Sequence, residues 1–364
     1  MTTDRRKIVA FHLYNDFSGS PTVLATVLSG LLKSDFHVVL VSSKGGVLDS
    51  VTGNDFAKIN CHYSFSPNKA VTLFRYFAAQ VSSFCIALKY AFSRNTVFYI
   101  NTILPVGPAL AGRLTSKRVV YHYHENAFAK GAFYKILAWF MQRLANRIIC
   151  VSKYQASFLK RKEGISIVPN ALPQSFSAKL NPNPEAAFDQ GNILMIASLK
   201  EYKGTKEFVE LAQRLPQYSF TLVVNDTQSA IDKYFSDCVI TKNLTIYTRQ
   251  KCVVDFYNRA SIVLNLSKKE QFIETFGMTA LEAQAAGLPV IVPTEGGIAE
   301  IVEDGVNGYK IDVADLNMIE TAVCKLLTDK ELYIRMAEHS LATSSKFSEY
   351  TMIDKITRIL HDKD

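Results

Sequence analysis

Short apolar runs recur along the chain, each closed by turn residues. In the first half they cover residues 7–12, 36–42, 96–100, 118–124, 148–152 and 165–168. Most are apolar on both sides and rich in Val, Ile and Tyr, as expected of strands buried on both faces. Longer stretches of helical period separate them; one spans 22–32, after the turn Ser18-Gly19-Ser20-Pro21. Strands alternating with helices predict βαβ units and a parallel sheet. The pattern breaks at Pro169-Asn170-Ala171-Leu172-Pro173 and Asn181-Pro182-Asn183-Pro184, so 171–190 reads as a linker. A second series follows at 192–197, 219–224, 244–247, 262–266, 290–292 and 308–311, and a last helix is expected over 350–360. The pattern predicts an α/β chain with domains at 1–170 and 191–345 and a C-terminal segment at 346–364.

One stretch of the second series carries the chemistry. Residues 274–290 read Glu-Thr-Phe-Gly-Met-Thr-Ala-Leu-Glu-Ala-Gln-Ala-Ala-Gly-Leu-Pro-Val. Met278 to Ala286 are mostly strong helix formers, stopped by Gly287 and Pro289. Phe276 and Gly277 therefore sit at a helix N-terminus, where free N–H groups and the helix dipole favour an anion. If the helix began at Glu274, Glu282 would lie about 80° around it and about 12 Å further along. Two carboxylates so placed suit separate parts of one extended ligand.

The two carboxylates with seven residues between them, and the surrounding Phe-Gly and Ala-Gly-Leu-Pro-Val, resemble the signature of retaining glycosyltransferases of family 4. The resemblance implies a GT-B fold, two Rossmann-like domains facing an interdomain cleft. It implies a metal-independent hexosyltransferase that uses a nucleotide-sugar donor and reacts by front-face transfer. Glu274 would then hold the donor sugar and Glu282 the ribose. Ala197-Ser198-Leu199-Lys200-Glu201-Tyr202-Lys203-Gly204 resembles the family's diphosphate loop, which assigns Lys200 and Lys203 to the diphosphate along with Phe276 and Gly277. Ser198 stands where many members have Arg. Cations there would stabilise the charge that builds on the leaving diphosphate. Gly19 resembles the family's N-domain glycine loop. His124, in Tyr121-His122-Tyr123-His124-Glu125, matches a histidine beside the transferred sugar; His122 is expected to be structural. The turns at Gly296-Gly297 and Asp304-Gly305 extend the resemblance and read as scaffold. The final helix would cross back to the N-terminal domain.

Charge adds a partner class. Residues 1–170 hold 21 Lys/Arg and 7 Asp/Glu, whereas 171–364 hold 20 and 26. A basic half suggests a polyanionic partner. Residues 71–94 and 134–149 are aromatic, helical in character and basic, and could lie against an anionic membrane surface beside a saccharide or lipid-linked acceptor. No nucleic-acid motif accompanies the charge, so no nucleic-acid partner is expected. The six cysteines are scattered, without a C-x-x-C pair, which fits a reducing cytoplasm and a cytoplasmic or peripheral location. No metal site is expected; the lone Asp-x-Asp, Asp362-Lys363-Asp364, lies at the chain end. No cofactor is expected beyond the donor itself. The role implied is surface polysaccharide or lipopolysaccharide biosynthesis. The alternatives are an inactive nucleotide-binding scaffold of the same fold, or an epimerase or phosphorylase built on it.

Overall fold

The computed structural model describes residues 5–34, 36–129 and 131–362; the last two residues of Asp362-Lys363-Asp364 lie outside them. It divides into two units, Met1–Ala171 with Glu349–Asp364, and Leu172–Ser348.

The first unit is built on seven parallel strands: β1 (Arg6–His12), β2 (Phe36–Ser42), β3 (Phe56–Asn60), β4 (Thr96–Asn101), β5 (Arg118–Tyr123), β6 (Arg147–Cys150) and β7 (Ile165–Ile167). Their order is β3-β2-β1-β4-β5-β6-β7. Strand periodicity sorts β1 between two cores. Ile8 and Ala10 pack with helices Gly19–Lys33 and Glu349–His361, while Val9 and Phe11 pack with helices Lys69–Leu88, Val106–Leu114 and Ala132–Leu144. The C-terminal helix belongs to this unit: Met352, Ile356 and Leu360 are buried in the first of these cores. A Cβ on Gly30 would come within 2.6 Å of the Ile353 side chain, so a glycine lets the two helices meet closely.

The second unit holds six parallel strands: β8 (Asn192–Ala197), β9 (Ser219–Val224), β10 (Leu244–Tyr247), β11 (Ile262–Leu264), β12 (Val290–Val292) and β13 (Gly308–Lys310). Their order is β10-β9-β8-β11-β12-β13. Both sheets are doubly wound, and strand order reverses between β1 and β4 in one and between β8 and β11 in the other. In such sheets ligands bind outside the carboxyl ends of the strands at the reversal.

Three features differ from the sequence pattern. The stretch 171–190, expected to be a linker, is folded into the second unit as helices Gln174–Ser177 and Pro184–Gln190. Pro184 is the first residue of a helix, where proline is favoured, and Asn183 caps it by accepting from Ala186 N (3.1 Å). Its buried Ala187 accepts from Ser261 Oγ at 2.5 Å. Edge strand β3 is missing from the apolar pattern because none of its side chains is fully buried and Ala57 and Asn60 face solvent. The helix expected over 134–149 ends at Leu144, and Arg147 opens β6.

Candidate active site

The reversal in the second sheet gathers the acidic and basic residues of two loops. β8 leads into a short turn at Glu201–Lys203 and then the helix Thr205–Arg214. β11 leads into 265–277, ahead of the helix Met278–Ala285. Gly204 joins the two loops. It has φ +72°, and a Cβ there would lie 2.1 Å from the Leu266 carbonyl oxygen, so only glycine fits. Lys268 N donates to Tyr202 O (2.8 Å), and the Tyr202 and Phe272 rings stack at 4.8 Å. Lys203 is thereby directed inward. Its ammonium lies 4.1 Å from the centre of the Phe272 ring and pairs with the Glu274 carboxylate, both side chains being mostly buried. Ser267 Oγ approaches the same carboxylate at 3.5 Å.

Glu274 is not on a helix. It precedes the first helical residue by four positions, and the chain turns at Gly277 with φ +93°. The separation reckoned along a continuous helix therefore does not apply. The loop is held from behind by two residues that read as scaffold. Gly297 N donates to Glu274 O (2.8 Å), and a Cβ on Gly296 would meet that oxygen at 2.6 Å. A Cβ on Gly277 would meet Ile298 at 2.4 Å. The Phe276 side chain is buried against Phe347, so only its backbone can face a ligand. The N–H groups of Phe276 and Gly277 make no hydrogen bond among the described residues and open the helix, as an anion site requires. Lys200 is exposed, just ahead of the turn Glu201–Lys203.

Glu282 sits on the helix itself, partly accessible but deeply enclosed by protein atoms. Tyr257 OH donates to its Oε2 at 2.5 Å. Desolvation raises the carboxyl to about 7, opposed by that hydrogen bond. The same pairing and burial hold the Tyr257 phenol far above its usual range and therefore neutral.

The reversal in the first sheet holds a second polar group. His12 ends β1, Asn101 ends β4 and His124 follows β5. His12 Nε2 donates to Tyr14 O (2.8 Å), which leaves Nδ1 to accept from Asn101 Nδ2 (3.1 Å). The Asn101 Oδ1 then accepts from His124 Nε2 (2.9 Å). Burial pulls His12 down to about 4; His124 also falls well below the usual range through burial and its neighbours His122 and His12. All are neutral at pH 7. His122 is fully buried, pairs through Nδ1 with Tyr99 OH (2.6 Å) and is lowered by desolvation to about 3. Asn101 Nδ2 also donates to Ser20 O (3.2 Å), which ties this group to the start of the helix Gly19–Lys33, a helix that begins within the expected turn 18–21 rather than after it. Gly19 is exposed, and a Cβ there would meet nothing within 4 Å.

Residues named from sequence thus fall into two groups, one per unit. Lys200, Lys203, Glu274, Phe276, Gly277 and Glu282 belong to the second; His124 and Gly19 belong to the first. His12, Asn101, Ser267 and Tyr257 join them and were not read from sequence. The one available signal was a polar residue ending an apolar strand, as at His12 and Asn101.

Known proteins were compared with the chain. Residues 17–175 match the model of Glycosyltransferase Family 4, and residues 178–342 match that of Glycosyl transferases group 1. An uncharacterized glycosyltransferase of Methanocaldococcus jannaschii is 26% identical over 214 residues, 56% of this chain and 56% of that protein. A sucrose-phosphate synthase of Spinacia oleracea is 35% identical over 100 residues, 28% of this chain and 10% of that protein. The chain thus spans about half, or far less, of the length of these curated relatives. The solved Anabaena HepE, in complex with UDP and glucose, has a TM-score of 0.78 at 17% identity, covering 98% of this chain and 100% of its own. By these two matched halves and its two doubly wound sheets, the chain belongs to the family 4-like glycosyltransferases of GT-B fold.

Proposed function

We propose that the protein is a retaining glycosyltransferase that moves a hexosyl residue from a nucleoside-diphosphate sugar to a saccharide or lipid-linked acceptor. The observation that carries this reading is the meeting of Lys203 and Glu274 at the strand-order reversal of the second sheet, beside the unbonded N–H groups of Phe276 and Gly277. In that reading the diphosphate displaces Glu274 from Lys203 and takes the ammonium and the N–H groups, with Lys200 at the rim. Released, Glu274 accepts hydroxyls of the sugar. Glu282 takes the ribose hydroxyls. The charge on the departing diphosphate is met by Lys and backbone N–H groups, which makes the reaction metal-independent. His124, which the family resemblance assigns to the transferred sugar, is neutral and donates from Nε2 to Asn101 Oδ1. Transfer proceeds on one face of the sugar. A lipid-linked acceptor implies assembly of a surface polysaccharide or lipopolysaccharide at the cytoplasmic side of a membrane. The HepE complexes with UDP and UDP-glucose favour uridine donors.

The test is calorimetric titration with UDP, GDP, dTDP and ADP, repeated on Glu282→Ala. Binding of one nucleotide that the variant loses supports the site. If none binds, the site as drawn is wrong and an inactive scaffold becomes the better reading.

A further inference from the structure

In the first unit, one of the two helix layers exposes an apolar surface. The helices Lys69–Leu88, Val106–Leu114 and Ala132–Leu144 turn one side inward, where Tyr76, Ala79, Ala109, Ala138 and Met141 are buried in the core. The first of them is pinned from that side. Tyr76 OH and Gln80 Nε2 both donate to Leu104 O, at 2.9 and 3.0 Å. Their outer side carries Phe74 (74% exposed), Phe77, Val81, Leu114, Ile136 and Trp139 (53% exposed). More than half of the exposed large apolar side chains among the described residues lie on these three helices. The layer on the opposite face of the sheet exposes one, Tyr350. The first and third helices pack against each other, the Tyr76 and Phe133 rings meeting at 5.5 Å. Soluble proteins rarely leave so extended an apolar surface without a partner.

The charge around it has one sign. Between Phe56 and Lys162 the sequence holds 16 Lys/Arg and a single acid, Glu125; none of the three helices carries Asp or Glu. Where the third helix ends, a hollow of about 740 Å³ is lined by Arg113, Arg143, Arg147, Arg161 and Lys162, with Glu163. Arg161 is spent on the carbonyls of Ala145 (2.6 Å) and Asn146 (2.9 Å). Arg143 lies 5.7 Å from the centre of the Trp139 ring, so basic hollow and apolar surface adjoin.

We propose that this helix layer docks on an anionic lipid bilayer, with the aromatic and aliphatic side chains entering the acyl boundary and the arginines meeting lipid phosphates. The charge complementarity selects this occupant. A bilayer supplies both negative charge and apolar depth, whereas a nucleic acid supplies only the charge. The helix Lys69–Leu88 is long and apolar enough to cross a membrane by length and composition. It lies along the surface instead, because its inner face is part of the core and Arg75 is bound to Ser64 Oγ (3.0 Å) and Phe65 O (3.2 Å). Docking of this kind goes beyond the transferase reading and does not depend on it.

Trp139 is the sole tryptophan and reports on the surface directly. The protein is mixed with phosphatidylcholine vesicles, with and without phosphatidylglycerol, and followed by Trp fluorescence and flotation. With anionic vesicles the emission shifts to the blue, brominated lipid quenches it, and the protein floats. Rising salt weakens the association, because the charges are screened beyond about 10 Å at 0.1 M. Phe74→Ser/Phe77→Ser/Val81→Ser weakens it by about a hundredfold, with thermal stability and nucleotide affinity unchanged. Lys135→Glu/Arg143→Glu removes the preference for anionic vesicles. Absence of flotation, or equal binding of the triple serine variant, overturns the proposal. So does a blue shift without vesicles that grows with protein concentration, which would assign the surface to a second copy. Retention on heparin or RNA without vesicle binding would also overturn it.

Discussion

Titrating donor affinity against pH probes Glu282 most directly. Burial raises its carboxyl to about 7, and the Tyr257 hydrogen bond opposes that rise. The protonated acid offers one donor, whereas the carboxylate can accept both hydroxyls of a vicinal diol. Affinity for a nucleoside diphosphate sugar should therefore rise with pH, by up to about tenfold per unit below 7, and level off above it. Using a sugar nucleotide avoids the titrating terminal phosphate of a free diphosphate. The fold itself shows the opposite trend. A raised carboxyl contributes stability that is complete below the ordinary value of 4.5 and is lost as pH rises through about 7. A shift of this size corresponds to about 3 kcal/mol. The ligand-free protein should thus lose stability over the window in which ligand affinity grows. Tyr257→Phe removes a bond that favours the anion and should move the affinity midpoint up by about one unit. Glu282→Gln should bind more weakly and be independent of pH. Calorimetry from about pH 5.5 to about pH 8.5 distinguishes these outcomes, a range centred on the raised value. An identical pH profile in wild type and Glu282→Gln would refute a role for Glu282 at the nucleoside.

Glu274→Gln should lower kcat by about a hundredfold or more by donor turnover, while nucleotide affinity rises by calorimetry because the diphosphate no longer displaces a carboxylate from Lys203. Lys203→Ala should instead weaken diphosphate binding about tenfold or more by calorimetry, since it removes the cation facing that group. Gly204→Ala should lower the melting temperature markedly, because a Cβ would meet the Leu266 carbonyl in a left-handed conformation; Gly19→Ala should leave it unchanged, its site being open. His12 and His122, lowered to about 4 and about 3, contribute stability present above about pH 6.5 and lost as pH falls through their folded values. Resistance to denaturant should therefore fall on acidification, and His122→Gln should reduce that slope.

The two parallel sheets were legible because most of their strands are short apolar runs buried on both faces, which leaves a signal in any single strand. The edge strand β3 was not, since none of its side chains is fully buried. The proline-rich stretch 171–190 misled for a related reason. Proline breaks a helix interior but suits its first turn, and which applies depends on what the segment packs against. The Glu274–Glu282 motif pointed to a helix N-terminus with a Phe-Gly turn before it, and the helix does start at Met278. Its spacing gave no geometry for Glu274, because Gly277 takes a left-handed turn that spacing does not encode.

Local sequence determined the element types, the parallel α/β architecture and the family, since these rest on periodicity and on motifs within about twenty residues of one another. Tertiary structure alone decided which residues meet. Lys203 and Glu274 are 71 positions apart, and His12 and Asn101 are 89. They are neighbours because strand order reverses between β8 and β11 and between β1 and β4, which places distant strand ends side by side. Burial then set the chemistry. A carboxyl near 7 at Glu282 and neutral histidines at His12 and His124 follow from desolvation by the packed fold, which no stretch of sequence carries by itself.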